Sequence, residues 1–187
     1  HRLLTEDGPE ALTVRRIASE AGMSTMNVYS RFGGKDGVID ELYVEGYRRL
    51  IEEIEAVPAT DDIVADLIKV STAYRAFASD NPTYYGIMFR STVPGFRPSA
   101  ESVTVALGGL ARFVERVRRG QEMGQIGNGS NRDPQEIAAW LWATCHGMVS
   151  LELDNVASEF VSWPSIYANG VRTALAGLHP SVVTAST

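Results

Sequence analysis

Cysteine is nearly absent from this chain of 187 residues. Its one copy, Cys145, cannot close an internal disulfide, which fits a reducing cytoplasm. Histidine is scarce as well. His1, His146 and His179 lie in separate segments, and no HExxH or CxxC spacing occurs, so neither a protein-built zinc site nor a cofactor is expected. No run approaches the roughly 18 apolar residues that span a membrane. No basic-then-apolar leader precedes the first helix, so the chain is not expected to be secreted. Asn128-Gly129-Ser130 matches a glycosylation sequon, which without a secretion signal is read as chance. No convincing strand or internal repeat is visible. The glycine-rich stretch Gly124–Asn131 (GQIGNGSN) follows a helix and has no closing Gly-Lys-Ser/Thr, so it reads as a flexible connection, not a phosphate loop.

Excess positive charge is missing too. The net charge is −6, with a hydrophobic fraction of 44% that is ordinary for a soluble protein. The deficit is uneven. Residues 1–35 carry five cations (Arg2, Arg15, Arg16, Arg31, Lys35) against four carboxylates (Glu6, Asp7, Glu10, Glu20), which is +1 and leaves −7 for the remainder. A near-neutral head on an acidic body excludes a protein that coats DNA by bulk charge. It allows one that meets phosphates with a few placed groups and helix N-termini.

What the chain does have is helical periodicity. In Thr13–Lys35 (TVRRIASEAGMSTMNVYSRFGGK), Val14, Ile17, Ala18 and Ala21 fall at i, i+3, i+4 and i+7, one face of a short helix. Thr13 stands at its N-cap, and Gly22 comes where a helix ends in a left-handed residue. Ser24 caps a second helix in which Val28 and Phe32 share a face, and Gly33-Gly34 ends it. Two short helices joined by a glycine-containing turn form a helix-turn-helix. Small Ala18, four residues before the turn, lets the helices approach, and Val28, six residues after it, pins the second on the first. The exposed face of the second helix offers Thr25, Met26, Asn27 and Ser30. An amide such as Asn27 pairs with an adenine edge, and Met26 suits a thymine methyl.

Around this motif, His1–Asp7 reads as the tail of a helix stopped by Gly8-Pro9. Lys35–Ala56 is a long helix with Ile39, Leu42, Tyr43, Gly46, Tyr47, Leu50 and Ile54 in register, roughly 30 Å of rod. The domain boundary is expected inside it near Arg48, giving residues 1–48 and 49–187. Thr60 or Asp61 caps the next helix (Ile63, Leu67, Val70, Tyr74, Phe77), Asn81-Pro82 breaks it, and Thr83–Phe89 is short and aromatic. Ser91–Pro98 is a loop. Ser99–Met123 is a helix with Val103, Leu107, Leu110, Phe113, Val114 and Val117 inside and Arg112, Arg116 and Arg119 on a solvated face. Asp133-Pro134 opens a helix, to about Asp154, that is apolar nearly all round (Ile137, Trp140, Leu141, Trp142, Cys145, Met148, Val149, Leu151, Leu153), and a helix with no wet face must be buried on both sides. One domain's core cannot fully cover it, so it is expected to pair with its symmetry mate. Ser162 caps a last helix, with Pro164 in its first turn and Ile166, Val171, Leu175 and Leu178 apolar; the tail from His179 reads as disordered. Ser150 follows His146 by one turn, but on a helix built to be buried and with Glu152, the nearest helix-borne carboxylate, off their face, so no catalytic pair and no enzyme is expected.

Thr13, Ile17-Ala18, Ala21-Gly22, Ser24, Tyr29, Phe32 and Lys35 together resemble the DNA-binding region of tetracycline-repressor-like (TetR family) transcriptional regulators. That family's usual pattern has Gly-Thr at Met26-Asn27 and often His at Arg31, departures that bear on the DNA sequence read, not on the fold. Phe77-Ala78, Asn81-Pro82, Tyr85, Met88-Phe89, Trp142-Ala143 and His146-Gly147 resemble the ligand-binding half of a TetR subgroup named for its Trp-His-Gly signature. The resemblance implies an all-α chain: an N-terminal helix-turn-helix domain, its first helix truncated here, followed by a helical ligand-binding and dimerisation domain. It implies a repressor that works as a homodimer through the last two long helices and is released from a palindromic double-stranded DNA operator by a small apolar or amphipathic molecule. Tyr29 and Lys35 would hold phosphates, with Thr13 and Ser24 helping through helix N-termini. Tyr74, Phe77, Tyr85, Met88, Phe89, Phe113, Trp142 and His146 would line the ligand site, although such an aromatic set also serves as plain core. The other reading, a helical interaction or structural protein whose helix-turn-helix no longer binds DNA, stays open on the low charge of the head and on Met26-Asn27.

Overall fold

The computed structural model describes residues 1–127 and 132–178. Every regular element among them is helical: α1 (Arg2–Asp7), a 3-10 turn (Pro9–Ala11), α2 (Val14–Glu20), α3 (Thr25–Phe32), α4 (Lys35–Glu55), α5 (Ile63–Asp80), α6 (Pro82–Phe89), α7 (Ala100–Glu122), α8 (Pro134–Leu153) and α9 (Trp163–Ala176). The sequon at Asn128 and the tail from His179 lie outside the described residues. The chain forms two compact units. The first is His1–Ile51 with Asn81–Gly108, and the second is Glu52–Asp80 with the chain from Gly109 onward.

The first unit has a core drawn from distant stretches. Leu4, Leu12, Ile17, Ala18, Val28, Ile39 and Tyr43 are joined in it by Ile87 of α6 and Val93 of the following loop, with Phe96 and Ala106 packed against them. Three short helices and the start of α4 expose too much apolar surface to close a core alone, so α6 and the start of α7 complete it. Met88 packs so tightly on Gly46 that a Cβ there would meet its sulfur at 2.6 Å. Polar groups fix the start of α7: the Asp40 carboxylate accepts the Ser99 N–H at 3.0 Å and the Ser102 hydroxyl at 2.7 Å. Because Ser102 turns toward Asp40, Val103 and Leu107 turn outward. Both were expected inside, and Leu107 is 58% exposed.

In the second unit the cap of α5 falls at Asp62, later than the expected Thr60 or Asp61. Asp62 Oδ1 accepts the Ala65 N–H at 2.9 Å, while Thr60 donates its N–H (2.6 Å) and hydroxyl (2.9 Å) to buried Asp66. The arginines of α7 stay largely at the surface as expected, in ion pairs, and Arg116 alone turns in to backbone carbonyls. Arg112 pairs with Glu55 at 2.9 Å, Arg116 donates to the carbonyls of Ile54 (3.3 Å) and Val57 (2.8 Å), and Arg119 pairs with Asp61 at 3.1 Å. Arg116 closes the C-terminal end of α4, where helix carbonyls lack intrahelical partners and cations are favoured. The first half of GQIGNGSN is anchored, not flexible: Ile126 is fully buried, and Gln125 accepts the Ile63 N–H at 2.8 Å and donates to Asp61 O at 2.6 Å. Its residues 128–131 lie outside the described part.

Asp133 caps α8 by accepting the Gln135 N–H at 2.8 Å. Ile137, Ala138, Leu141, Cys145 and Val149 are buried, and Tyr167 of α9 donates to Ser71 O of α5 at 2.6 Å. The opposite face of α8 stays open: Trp140 is 45% exposed, and Leu151 is exposed on the same side; Trp142 is exposed on the other flank, one turn before His146. A single chain thus covers one side of the helix that was expected to be buried on both. Ser162 sits at the N-cap of α9, but its hydroxyl meets Ser165 Oγ at 3.4 Å instead of capping the backbone.

Two glycines of α7 give opposite expectations. A Cβ at Gly120 would lie 2.8 Å from Ile126 and 2.9 Å from Ile63, whereas one at Gly108 meets nothing within 4 Å. Gly120→Ala should destabilise by about 1–3 kcal/mol through overpacking. Gly108→Ala should stabilise by roughly 0.5–1 kcal/mol by removing backbone entropy from the unfolded chain. Thermal melts of the two variants, moving in opposite directions, check this.

Candidate nucleic-acid interface and effector site

The turn between α2 and α3 is built by caps and one tight packing contact. Thr13 Oγ1 accepts the Arg16 N–H at 3.3 Å, and Ser24 Oγ accepts the Asn27 N–H at 3.1 Å. Gly22 adopts φ +63° and Gly33 φ +73°, left-handed values that favour glycine. The Met23 N–H closes on Ala18 O at 2.9 Å. Ala18 and fully buried Val28 press α3 onto α2, so the opposite side of α3 is bare. Met26 is 77% exposed there, and Thr25, Asn27, Tyr29 and Ser30 are exposed with it. Ser30 donates to the Asn27 backbone carbonyl at 3.2 Å, and Asn27 itself is exposed. The Tyr29 ring lies against Gly34, where a Cβ would stand 3.4 Å from it. Lys35 opens α4 half-buried.

Charge in this head is partly spent. Arg2 pairs with Glu20 and Arg16 with Asp7, both at 2.5 Å. The hydrogen bond and charge of Glu20 raise the Arg2 pKa, so that group stays a cation. Arg15, Arg31 and Lys35 make no ion pair among the described residues. Arg15 and Arg31 are exposed candidates for phosphate contact that the motif alone did not single out. The subtraction that reveals them needs partners 18 and 9 residues apart in sequence.

The expected ligand residues divide between the units. Tyr74, Phe77, Phe113, Trp142 and His146 belong to the second. There the Tyr74 hydroxyl and His146 Nδ1 share a hydrogen bond of 3.2 Å, and the Trp142 and His146 ring centroids lie 5.9 Å apart. Tyr85, Met88 and Phe89 pack within the first unit: Tyr85 on Phe89 at 4.9 Å, Phe89 on Tyr47 at 5.7 Å, and Met88 on Gly46. Burial pushes the Tyr47 hydroxyl pKa up. Burial also pushes the Cys145 thiol up, against the opposing hydrogen bonds of Tyr167 and Ser71, so it stays a protonated core group. Ser150 Oγ makes no hydrogen bond to His146. Among the described residues no group of three His, Cys, Asp or Glu side chains could hold a metal ion, and no helix is long and apolar enough to cross a membrane.

A capped helix-turn-helix with a bare second helix, followed by an all-helical body, defines the class of a two-part regulator. Comparison with known proteins names the family. The model for bacterial regulatory proteins of the tetR family matches residues 1–42, and the model for the tetracyclin repressor-like C-terminal domain matches residues 67–163. The chain belongs to the TetR family. It is 28% identical over 144 residues to the HTH-type transcriptional regulator Rv1816 of Mycobacterium tuberculosis, covering 74% of this chain and 61% of that one, so it spans about three fifths of that relative's length. A solved protein of unknown function from Rhodococcus sp. RHA1 matches with a TM-score of 0.80 and 25% identity, over 95% of this chain and 90% of that one. FadR from Bacillus subtilis, solved with stearoyl-CoA, shares the fold at a TM-score of 0.72 and 18% identity, over 95% of each chain.

The α3 cap can be tested by itself. Ser24→Ala should cost about 1 kcal/mol of stability, while Ser24→Asp, which keeps an acceptor for the Asn27 N–H, should hold it. Urea melts of the two variants beside the parent chain decide this.

Proposed function

We propose that the chain is a ligand-responsive DNA-binding transcriptional regulator, a repressor released from a palindromic operator by a small apolar or amphipathic molecule. The observation that carries the reading is the bare face of α3 on a capped, tightly packed turn. Asn27 reads a base edge and Met26 lies on a thymine methyl, with Thr25 and Ser30 beside them. Tyr29 and Lys35 hold phosphates, and the N-termini of α2 and α3 at Thr13 and Ser24 add backbone N–H groups. Family membership supports this use of the head, and a regulator of bacterial DNA works in the cytoplasm. The effector site lies in the second unit, on Tyr74, Phe77, Phe113, Trp142 and His146. DNA and effector then oppose each other by reciprocal linkage, typically worth about 1–3 kcal/mol.

A homodimer follows from the open apolar face of α8. Pairing α8 and α9 with their symmetry mates makes a four-helix interface and buries that face. Two heads then meet half-sites one helical turn apart or a multiple of it.

A gel shift against the DNA flanking the protein's own gene tests the reading, and no shift at any concentration would refute it. With that DNA, Asn27→Ala should lose about 1–3 kcal/mol of discrimination at one base pair. Lys35→Ala should weaken all sequences alike and reduce the salt slope by about one. An unchanged slope would rule out the phosphate role of Lys35. For assembly, sedimentation at micromolar concentration should give a dimer; a monomer alone would end that part of the proposal.

A further inference from the structure

The Ser150 hydroxyl oxygen is shut off from solvent and has no hydrogen-bond partner among the described residues. Other helical hydroxyls of the second unit avoid this state by donating to the carbonyl one turn back: Ser71 to Leu67, Thr72 to Ile68, and Thr144, on α8 itself, to Trp140. Ser150 makes no such bond. An unmade hydrogen bond on a buried hydroxyl is costly, and its persistence calls for a partner that the chain does not supply.

The surroundings say what that partner is. Trp142, His146 and Ser150 succeed one another by single turns, so they share a stripe of α8. His146 is held by Tyr74 of α5, and Phe77 and Val149 are buried on the same two helices. The neighbourhood is therefore aromatic and apolar. The same two helices carry one closed ion pair. Arg75 of α5 meets both carboxylate oxygens of Glu152 on α8, at 2.8 and 2.5 Å, and its guanidinium lies 5.8 Å from the Tyr167 ring centroid. The Glu152 hydrogen bond raises the Arg75 pKa, which keeps the pair closed. Arg75 and Glu152, paired with each other, offer no spare counter-charge to an anionic or cationic headgroup, and His146 shares a hydrogen bond with Tyr74.

We propose that Ser150 is the polar contact of the effector site, and that the effector is an uncharged, largely apolar molecule whose carbonyl or hydroxyl oxygen pairs with Ser150 Oγ. This rests on the reading that the second unit holds an effector, and it names the chemistry of that effector.

Calorimetric titration of the full chain and of Ser150→Ala tests it with three probes: octanophenone, its isostere with CH₂ in place of the carbonyl oxygen, and decanoate. The parent chain should bind octanophenone about tenfold tighter than the isostere or decanoate, the worth of one hydrogen bond. In Ser150→Ala that preference should fall to about twofold or less. Without any probe, Ser150→Ala should melt about 2–4 °C higher, because the unmade hydroxyl is gone. A ketone bound no tighter than its isostere overturns the proposal, and so does a preference that survives in Ser150→Ala. A lower melting point for Ser150→Ala also overturns it, since that is the sign of a hydroxyl satisfied within the fold. The gel shift separates this inference from the regulator reading. If octanophenone binds as expected without releasing DNA, the regulator reading fails and the Ser150 contact stands. If all three probes release DNA equally well, the regulator reading stands and the Ser150 contact fails.

Discussion

The burial of Val28 and Ala18 in one core is the constraint on which the helix-turn-helix half depends. An eight-residue helix such as α3 has no stability of its own in water, because nucleation costs more than so few hydrogen bonds return. It exists because Val28 is fully buried, because Ala18 is small enough to let the two helices touch, and because Gly22 turns the chain sharply between them. Once that face is committed to the core, the opposite face must point to solvent, and Thr25, Met26, Asn27, Tyr29 and Ser30 occupy it. Presentation to DNA is thus a by-product of packing. The residues that would read bases contribute little to the fold, which leaves them free to differ from the family's usual Gly-Thr at Met26-Asn27.

Charged groups serve the fold more than the surface. Asp40 fastens the first turn of α7, Arg116 closes the carbonyl end of α4, and Arg75 with Glu152 ties α5 to α8. Each satisfies a backbone end or joins two helices at a place where an apolar contact would leave polar groups unpaired. Both helices that pass from one unit into the other, α4 and α7, carry such a tie within each unit.

Local rules read the sequence well wherever the cause was local. The caps at Thr13, Ser24 and Asp133, the left-handed Gly22 and Gly33, and the break at Asn81-Pro82 all follow from residues a few positions apart. The readings that changed had distant causes. Val103 and Leu107 fit an inward stripe by period, but Asp40, some 60 residues away, sets the rotation of α7 through Ser102. Arg116 looks solvated by spacing, as its neighbours Arg112 and Arg119 largely are, but it donates to the carbonyls of Ile54 and Val57, some 60 residues away. The glycines of GQIGNGSN suggested freedom, while Gln125 ties its described first half, residues 124–127, to the start of α5 and Ile126 is buried. Of the candidate sites, the DNA-facing set was legible because one short helix carries nearly all of it. The effector set was legible only as a group of aromatic positions. Which of them share a unit depends on how the chain folds back, and a hydroxyl without a partner, such as Ser150, leaves no trace in a periodicity.

The acidic composition and a DNA-binding role are compatible for a physical reason. Two of the five head cations are held by Glu20 and Asp7, which leaves Arg15, Arg31 and Lys35 outside any ion pair among the described residues. Phosphate neutralisation supplies essentially all sequence-independent affinity, and it grows with the number of cations engaged. A head with so few of them would gain little from random DNA. Discrimination then falls to placed hydrogen bonds and helix N-termini, which reward only the matching site and register. On the proposed reading, weak bulk attraction would also keep total operator affinity modest, and an effector whose coupling energy is only a few kcal/mol would be enough to empty the operator, which a strongly basic head would resist.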